Sequence, residues 1–443
     1  MKFRKWPLWG LFFILIILSG CRWPRRSEPS PSSVPLLNLT PTPVQSKPRV
    51  LIFSCTGGGG HMSAASAVTA YLGGDYDVHT VNVISEASGN FDLFRVLSLN
   101  TFRGEDIYNF FLRNGMSRTV GLYCSLGHMM TSLCSHYLDD RIGEFLDNCR
   151  PDIVISVMPF FNGSIQRATV IRHIPFAVIT CDLNTVNYVQ DLYVSAPNTL
   201  FLYGLPFSDP AIKAAVGSVH MPPENIRTIG FPIRPSFFVR HDKNLLKKQF
   251  GFPSDVPIVM ILMGAAGSRA VLGYLRKLVK MKTKMHILVC VGRNEGLKYS
   301  IEKIILPSHI TLSIFGYTDK ISELMQASDL FITKPGPTSI CEALYLSIPL
   351  LLDGTSKPMF WETMNIDFVT SHGFGEVVTS LRYVPLQVKK MLEDEGYRND
   401  IIHAMEQFDK PDVCSNVRKL VADLLDQSAH DAYIAKPVQP VVQ

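Results

Sequence analysis

Hydrophobic and polar positions along the chain form two successive series of short apolar runs separated by helical patterns. The first series predicts a helix from about His61 and strands at Val50–Ser54, Val78–Val83, Ile153–Val157, Ala177–Thr180 and Thr199–Tyr203. The second series predicts strands at Ile258–Leu262, His286–Val291, Ile310–Phe315, Leu330–Thr333 and Pro349–Leu352. Apolar strands that alternate with helices are typical of parallel sheets covered on both faces. The pattern therefore predicts an α/β protein with two doubly wound halves.

The two series meet at Gly230-Phe231-Pro232-Ile233-Arg234-Pro235, whose glycine and prolines are typical of a hinge between domains. We therefore predict an N-terminal domain over residues 49–235 and a C-terminal domain over residues 236–428. Residues 22–48 are rich in Pro and Ser and predict a solvated tether. Residues 429–443 have no apolar periodicity and predict a disordered tail.

Residues 1–21 have a basic start, an apolar run and then Leu18-Ser19-Gly20-Cys21. Such a segment is typical of export signals, and the tetrapeptide resembles a bacterial lipobox, which makes Cys21 a candidate lipidation site. The alternative is an uncleaved membrane anchor, although the run is short against the roughly 20 apolar residues of a spanning helix. Both interpretations predict a protein attached to a membrane.

The amino-acid composition excludes several classes of protein. The chain has 443 residues, 47% hydrophobic and 18% charged, so it is too apolar to be mainly disordered. A formal net charge of +5 is small for this length, and no nucleic-acid partner is expected. The nine cysteines form no Cys-x-x-Cys pair, so neither a zinc site nor a disulfide framework is expected.

A glycine run, Thr56-Gly57-Gly58-Gly59-Gly60-His61, follows the first strand and opens the first helix. Glycines there allow a ligand to approach the backbone, and the helix start offers N–H groups to an anion. The run lacks the lysine of a P-loop and the spacing of a dinucleotide fingerprint. His61 falls in the first helical turn, which favours the neutral imidazole that a general base needs. The alternative is a histidine that caps the helix and faces solvent.

A second set of candidate binding residues lies at the predicted carboxyl ends of the strands in the second half, the edge where such folds bind ligands. The set comprises Gly264, Ala265 and Gly267 after the first strand, Gly316 and Tyr317 after the third, and Lys334, Gly336 and Thr338 after the fourth. Glu342 follows on the next helix, where its carboxylate can accept both hydroxyls of a ribose. Its spacing from Ser339 also fits a capping box, which remains the alternative.

The stretch Phe91–Leu138 is aromatic, Met-rich and dotted with arginines. Such a stretch is usually core helix. The alternative is an acceptor-side surface that touches lipid.

Five of these motifs occur in the same order in a known family. The glycine run with His61, the hinge Gly230–Pro235, the turn at Gly264, the pair Gly316-Tyr317, and Thr333-Lys334-Pro335-Gly336 with Glu342-Ala343 together resemble the diacylglycerol glycosyltransferases. This family includes the monogalactosyldiacylglycerol synthases and the bacterial processive glucosyltransferases. The resemblance covers residues from about 49 to 426.

The resemblance implies a GT-B fold, in which two Rossmann-like domains face a cleft. The lipid acceptor would bind the N-terminal domain and the UDP-sugar the C-terminal domain, with no metal, no further cofactor, and inversion at the anomeric carbon. His61 would be the catalytic base, and the acceptor side would include Gly58, Gly59, Gly60 and Asp182. The implied nucleotide-sugar residues are Gly264, Ala265 and Gly267 for the diphosphate, Gly316 and Tyr317 for uracil, Glu342 for the ribose, Glu362 and Asn365 for the hexose, and Lys334, Gly336 and Thr338 beside them.

Two departures affect what the family implies. Pro337 replaces a glycine that is common after Gly336, and Trp361 stands where a glutamine is usual, which puts the identity of the hexose in doubt. The alternatives are N-acetylglucosamine transfer to a polyprenyl-linked cell-wall precursor, epimerisation of UDP-N-acetylglucosamine, and a non-catalytic lipoprotein. Because nucleotide sugars are cytoplasmic, we expect the active protein on the cytoplasmic face of a membrane, with an exported lipoprotein as the alternative.

Overall fold

A computed structural model describes residues 47–434 except 58, 93–94, 96–100, 102, 114–115, 190, 193–198, 206–224, 266 and 356–361. Cys21, Gly58 and Trp361 therefore lie outside the described residues, as do the predicted signal and nearly all of the tether. Within the described ranges, no helix combines the length and the apolar character needed to cross a bilayer.

The first half of the chain builds one parallel sheet. Its strands are β1 Arg49–Ser54, β2 Asp77–Asn82, β3 Ile153–Ser156, β4 Phe176–Ile179, β5 Thr199–Tyr203 and β6 Ile226–Thr228. Its helices are α1 Gly60–Leu72, α2 Gly104–Arg113, α3 Ser117–Leu133, α4 Ser135–Cys149, α5 Asn162–Ile171 and α6 Val186–Val189, with a π-helical turn at Val83–Ala87.

A second parallel sheet follows the linker, which contains a short 3-10 turn at Pro235–Phe237. Its strands are β7 Ile258–Leu262, β8 Met285–Gly292, β9 Ile310–Gly316, β10 Leu330–Thr333, β11 Leu350–Asp353 and β12 Gly375–Val378. The helices are α7 Lys243–Phe250, α8 Val271–Leu278, α9 Glu295–Glu302, α10 Ile321–Gln326, α11 Pro337–Leu346, α12 Thr363–Ser371, α13 Val384–Glu393, α14 Glu395–Gln407 and α15 Val413–Ile434.

Each sheet has six strands, in the orders β2-β1-β3-β4-β5-β6 and β12-β11-β10-β7-β8-β9. In both sheets the first strand in the chain lies inside, so the strand order reverses beside it. The core strands β1, β3, β7 and β10 are almost wholly buried because helices cover both faces. The predicted fold of two Rossmann-like halves is confirmed.

All ten predicted strands are present, with bounds that differ by at most one residue. The sequence did not indicate β6 and β12, because both lie at sheet edges and have mainly half-buried or exposed positions instead of an apolar run. It also gave no signal for α5, whose buried positions include Asn162, Ser164 and Gln166. Helix α15 runs to Ile434, so residues 429–434, which were predicted to belong to a disordered tail, are helical, and residues 435–443 lie outside the described residues.

The last helix packs on the first half of the chain. Asn416 donates a hydrogen bond to the carbonyl of Ile229 at 3.0 Å, and Arg418 donates one to the carbonyl of Tyr71 in α1. The Tyr71 hydroxyl in turn donates to the carbonyl of Ile233 in the linker. The chain therefore crosses twice between the two sheets, and the linker is held between α1 and the start of α15.

Gly230 is the tightest point of this crossing. Its φ of 101° is unfavourable for any side chain, and an added Cβ would lie 2.5 Å from the Pro411 carbonyl oxygen. We expect Gly230→Ala to lower the free energy of unfolding by roughly 2 kcal/mol or more, because strain and overlap add. Chemical denaturation monitored by circular dichroism measures this change.

Gly251→Ala is the matched control, because Gly251 has a φ of 69° but nothing within 4 Å of an added Cβ. Gly251→Ala should lower the free energy of unfolding by only about 1 kcal/mol, because a side chain at positive φ strains the backbone but meets no neighbouring atom. Equal losses for the two variants would contradict the crowded crossing at Gly230.

Candidate active site

The candidate site lies where the strand order reverses in each sheet. In the first sheet the glycine run leaves β1 and residue Val157 leaves the neighbouring strand β3; in the second, the Gly264 turn leaves β7 and Lys334 leaves its neighbour β10. Helices leave these neighbouring strands towards opposite faces, so a crevice opens at their carboxyl ends. The topology thus brings together loops that are far apart in the chain.

His61 is held by the backbone of the neighbouring strand end. Its Nδ1 lies 3.0 Å from the Val157 carbonyl oxygen and 3.1 Å from the Cys181 Sγ. A carbonyl oxygen only accepts, so Nδ1 carries the proton and Nε2 keeps its lone pair. The alternative of a helix cap that faces solvent is therefore wrong, and the ring has the tautomer of a base.

The charge of His61 depends on neighbouring groups in the same half of the chain. Burial opposes the imidazolium, but Cys55, Asp182 and the Val157 carbonyl favour it, and the net pKa of His61 is raised. Because burial also raises the pKa of Cys55, that thiol is uncharged near neutral pH, and Asp182 is the effective partner. The sequence predicted that the helix start favours the neutral ring, whereas the groups around His61 together favour its charged form.

Asp182 belongs to a small polar network. The Tyr188 hydroxyl donates to Asp182 Oδ2 at 2.9 Å and lies 3.2 Å from Cys181 Sγ, while the Cys181 thiol donates to the Val157 carbonyl. Ligand-type atoms of His61, Cys181 and Asp182 all lie within 4.8 Å of one another, a spacing that also suits a metal. His61 contacts Cys181 directly and interacts electrostatically with Asp182, so the three side chains form one connected polar cluster.

The glycine run is fixed by a residue that the sequence did not single out. Buried Glu105, in the first turn of α2, accepts hydrogen bonds from the Thr56 N–H and from the Asn82 side chain at 3.0 and 3.2 Å. The sequence shows Glu105 only as an acidic residue at a predicted helix start. Such a residue usually stabilises its own helix by interacting with the helix dipole, so the sequence gave no reason to connect it with the glycine run.

In the second half, Lys334 lies among the predicted phosphate-binding glycines. A Cβ added to Gly264 or Gly336 would lie 3.2 or 3.3 Å from the Lys334 Cε, so both glycines leave room for this side chain. The Lys334 Nζ lies 3.4 Å from Glu362 Oε1. The structure thus brings together a cation, two bare backbone turns and the carboxylate predicted to contact the hexose.

The turn at Gly264–Ser268 is braced from β8. Asn294 donates to the Gly267 carbonyl at 2.8 Å, and the Arg293 N–H donates to the Ala265 carbonyl at 3.2 Å. The Arg293 guanidinium lies 4.4 Å from the ring centroid of Tyr317, which is 64% exposed. Gly316 pairs with Gly292 beside it. An exposed aromatic face and a planar cation therefore lie together at the predicted uracil position.

Glu342 does not form the capping box that its spacing allowed. Helix α11 begins at Pro337 with Gly336 as its N-cap, so Glu342 lies in the second turn. Its carboxylate is buried and lies 3.2 Å from the Arg234 Nη2. Burial raises the pKa of Glu342 to about 7, and the opposing pull of Arg234 is too weak to offset it. The predicted ribose carboxylate is thus paired with the interdomain linker.

Residues from the two halves approach each other directly. A Cβ added to Gly59 would lie 3.4 Å from the Ala265 Cβ, and one added to Gly60 would lie 3.2 Å from the Thr338 Oγ1. Asn365 donates to the Pro335 carbonyl at 2.8 Å, which holds α12 on the same turn. Described residues of both predicted sets, acceptor side and donor side, therefore line one crevice.

Comparisons with known proteins agree with this geometry. Residues 258–352 match the glycosyltransferase family 28 C-terminal domain. The processive diacylglycerol beta-glucosyltransferase of Bacillus subtilis is 25% identical over 86% of this chain and 95% of its own length. The chloroplastic monogalactosyldiacylglycerol synthase of Spinacia oleracea is 26% identical over 78% of this chain and 66% of its own length.

These similarities support the resemblance to the diacylglycerol glycosyltransferases that the motifs indicated. The fold is also that of solved glycosyltransferases. MurG of Acinetobacter baumannii has a TM-score of 0.54 at 12% identity and covers 86% of this chain and 99% of its own. The quercetin complex of UGT89C1 from Arabidopsis thaliana has a TM-score of 0.53 at 13% identity, with 86% and 100% coverage. The enzyme is a hexosyltransferase with the GT-B fold.

The raised pKa of Glu342 predicts a dependence of stability on pH. A carboxyl with a folded pKa of about 7 and an unfolded pKa of 4.5 is favoured in its protonated form. Relative to a Glu342→Gln variant, the enzyme should lose stability as pH rises from about 4.5 to about 7 and lose no more above that. The total is at most about 3 kcal/mol. Denaturant titrations at pH 5, 6, 7 and 8 measure it.

Glu302→Gln is the control, because Glu302 is exposed on α9. Its stability should follow that of the unmodified enzyme at every pH. A constant gap between the unmodified enzyme and Glu342→Gln across the series would contradict a buried carboxyl that ionises near neutrality.

Proposed function

We propose that the enzyme transfers one hexose at a time from a UDP-sugar to diacylglycerol, with inversion at the anomeric carbon and without a metal or further cofactor. The observation that carries this proposal is the position of His61, whose Nε2 keeps a lone pair at a crevice lined by both halves of the chain. The relatives named above act on diacylglycerol and give the acceptor class.

In the proposed step, His61 Nε2 takes the proton of the acceptor hydroxyl as its oxygen attacks C1 of the hexose. The bond between C1 and the β-phosphate oxygen breaks, and UDP leaves with the electron pair. A single displacement from the opposite face inverts C1. His61 becomes an imidazolium when it takes this proton, and the Asp182 carboxylate stabilises that positive charge.

The charge that develops on UDP needs donors fixed in advance. We assign this role to Lys334 and to the N–H groups of the turns at Gly264 and Gly336, which converge beside the start of α11. Glu342 would orient the ribose once UDP replaces part of its contact with Arg234, and Tyr317 would stack on uracil. Glu362 and Asn365 would contact the hexose hydroxyls.

The acceptor is membrane-embedded, and one surface suits a bilayer. On α3 the side chains of Leu122, Leu126, Met129 and Leu133 share a helical face and are 63%, 48%, 44% and 61% exposed. Exposed apolar side chains in such a row are unusual on a protein that meets only water. We assign this face to the membrane surface and place the active enzyme on the cytoplasmic side, where UDP-sugars occur.

The full-length enzyme, reconstituted in vesicles that contain diacylglycerol, provides the direct test. With UDP-glucose, UDP-galactose and UDP-N-acetylglucosamine in parallel, we expect glycolipid and stoichiometric UDP from a hexose donor. Product from UDP-N-acetylglucosamine with a polyprenyl-linked acceptor alone would favour cell-wall precursor synthesis instead. Absence of product and of UDP release with every donor would overturn the proposal.

Replacing His61 with Ala removes the proposed base. The rate of transfer should fall by roughly 10² to 10⁴, because general-base catalysis contributes about that much. His403→Ala, an exposed position on α14, is the control and should keep the full rate. A His61→Ala rate within a few-fold of the unmodified enzyme would remove the base assignment.

The α3 face predicts a difference between two kinds of acceptor. Leu126→Gln with Leu133→Gln should lower activity on vesicle-embedded diacylglycerol roughly tenfold or more, since each partly buried leucine contributes about 1 kcal/mol of membrane contact. Activity on a soluble short-chain diacylglycerol should change little. Leu245→Gln, at a position 67% exposed on α7, is the matched control. Equal losses on both acceptors would contradict a membrane role for this face.

A further inference from the structure

Helix α2 lies directly on the glycine run. Glu105 accepts from the Thr56 N–H, and the Asn109 side chain donates to the Thr56 carbonyl at 3.4 Å. Both contacts come from one face of α2, one helical turn apart. The residue between them that faces the run is therefore fixed relative to the backbone beside His61.

That residue is Tyr108. A Cβ added to Gly57 would lie 3.5 Å from the Tyr108 Cδ1 and 3.6 Å from its Cε1, so the ring packs against glycine backbone that carries no side chain. A Cβ at this distance would be in ordinary van der Waals contact, so the ring already lies one side-chain layer from the backbone of the glycine run. The backbone at Gly57 thus forms one wall beside the Tyr108 ring.

The Tyr108 hydroxyl lies near groups from both halves of the enzyme. Burial raises its pKa, and Cys124, Glu362, Cys55 and Asp182 add to the effect. The phenol therefore stays protonated and can donate a hydrogen bond at any physiological pH. Among the residues that the structure describes, none accepts from it or donates to it. A partly desolvated hydroxyl in this position favours a polar ligand as its partner.

We propose that Tyr108 and the bare backbone at Gly57 form the subsite for the polar headgroup of the lipid acceptor. The ring would pack on the carbon face of the glycerol, or of a sugar already attached to it, and the hydroxyl would bond a hydroxyl of that headgroup. The attacking oxygen then lies towards His61. This inference rests on the proposed function and adds the residue that positions its acceptor.

The apolar face of α3 supports the same route. Phe110, two residues beyond Tyr108, is 58% exposed, and α3 follows α2 directly with its exposed leucines. Acyl chains would remain with the apolar surface while the headgroup reaches the crevice past α2. A tyrosine suits this boundary, since it offers an apolar ring and a polar tip.

The test uses the full-length enzyme with a soluble short-chain diacylglycerol, so that membrane binding does not enter. Tyr108→Phe removes the hydroxyl, and Tyr108→Leu removes the ring face. We expect the acceptor KM to rise about threefold to tenfold for Tyr108→Phe and further for Tyr108→Leu. The Kd of UDP-hexose, measured by calorimetry, should stay within twofold. Tyr299→Phe, at a position 62% exposed on α9, is the matched control.

Each outcome decides between alternatives. Acceptor KM values within twofold of the unmodified enzyme for both variants would overturn the subsite while leaving the transferase intact. A rise in the Kd of the donor as large as that of the acceptor KM would assign Tyr108 to the hexose instead, which also overturns it. If Tyr108→Leu fails to fold, Tyr108→Phe alone decides. An unmodified enzyme without activity on any donor would instead overturn the proposed function.

Discussion

The close approach of the glycine run to the second half of the chain governs the architecture of the candidate site. A Cβ added to Gly59 would contact the Ala265 Cβ at 3.4 Å, and one added to Gly60 would lie a tight 3.2 Å from the Thr338 Oγ1. Because of this approach, the proposed base, carried by one sheet, and the proposed phosphate-binding turns, carried by the other, line one crevice. The glycine run therefore has two roles, as a surface for ligands and as the contact between the halves.

Alternating charges line the crevice from one half to the other. Asp182 supports a positive charge on His61, and Lys334 lowers the cost of the buried Asp182 carboxylate while also pairing with Glu362. Under the proposed function, a donor with two phosphates would bind beside Lys334. Its negative charge would then interact with the Lys334 cation, which Asp182 and Glu362 balance in the free enzyme. The same side chains thus stabilise the free enzyme and are placed to meet the charges of the reaction.

The linker joins this site to the rest of the fold. Arg234 extends from it to the buried Glu342, while Ile233 and Ile229 accept hydrogen bonds from α1 and α15. A change in the charge of Glu342 therefore acts on the segment that connects the two sheets. Under the proposed function, a donor whose ribose binds Glu342 would also contact this linker.

The sequence alone determined the two parallel sheets, because buried strands leave uninterrupted apolar runs, and it located the glycine-rich turns at their carboxyl ends, because glycines mark tight turns. Edge strands β6 and β12 and the polar helix α5 left no such pattern. Only the tertiary structure decided the tautomer of His61, the anchoring of α2 by Glu105 and the pairing of Glu342 with Arg234. Each depends on groups far apart in the chain, and local spacing carries no record of which distant carbonyl, N–H or guanidinium will face a side chain once the sheets have formed.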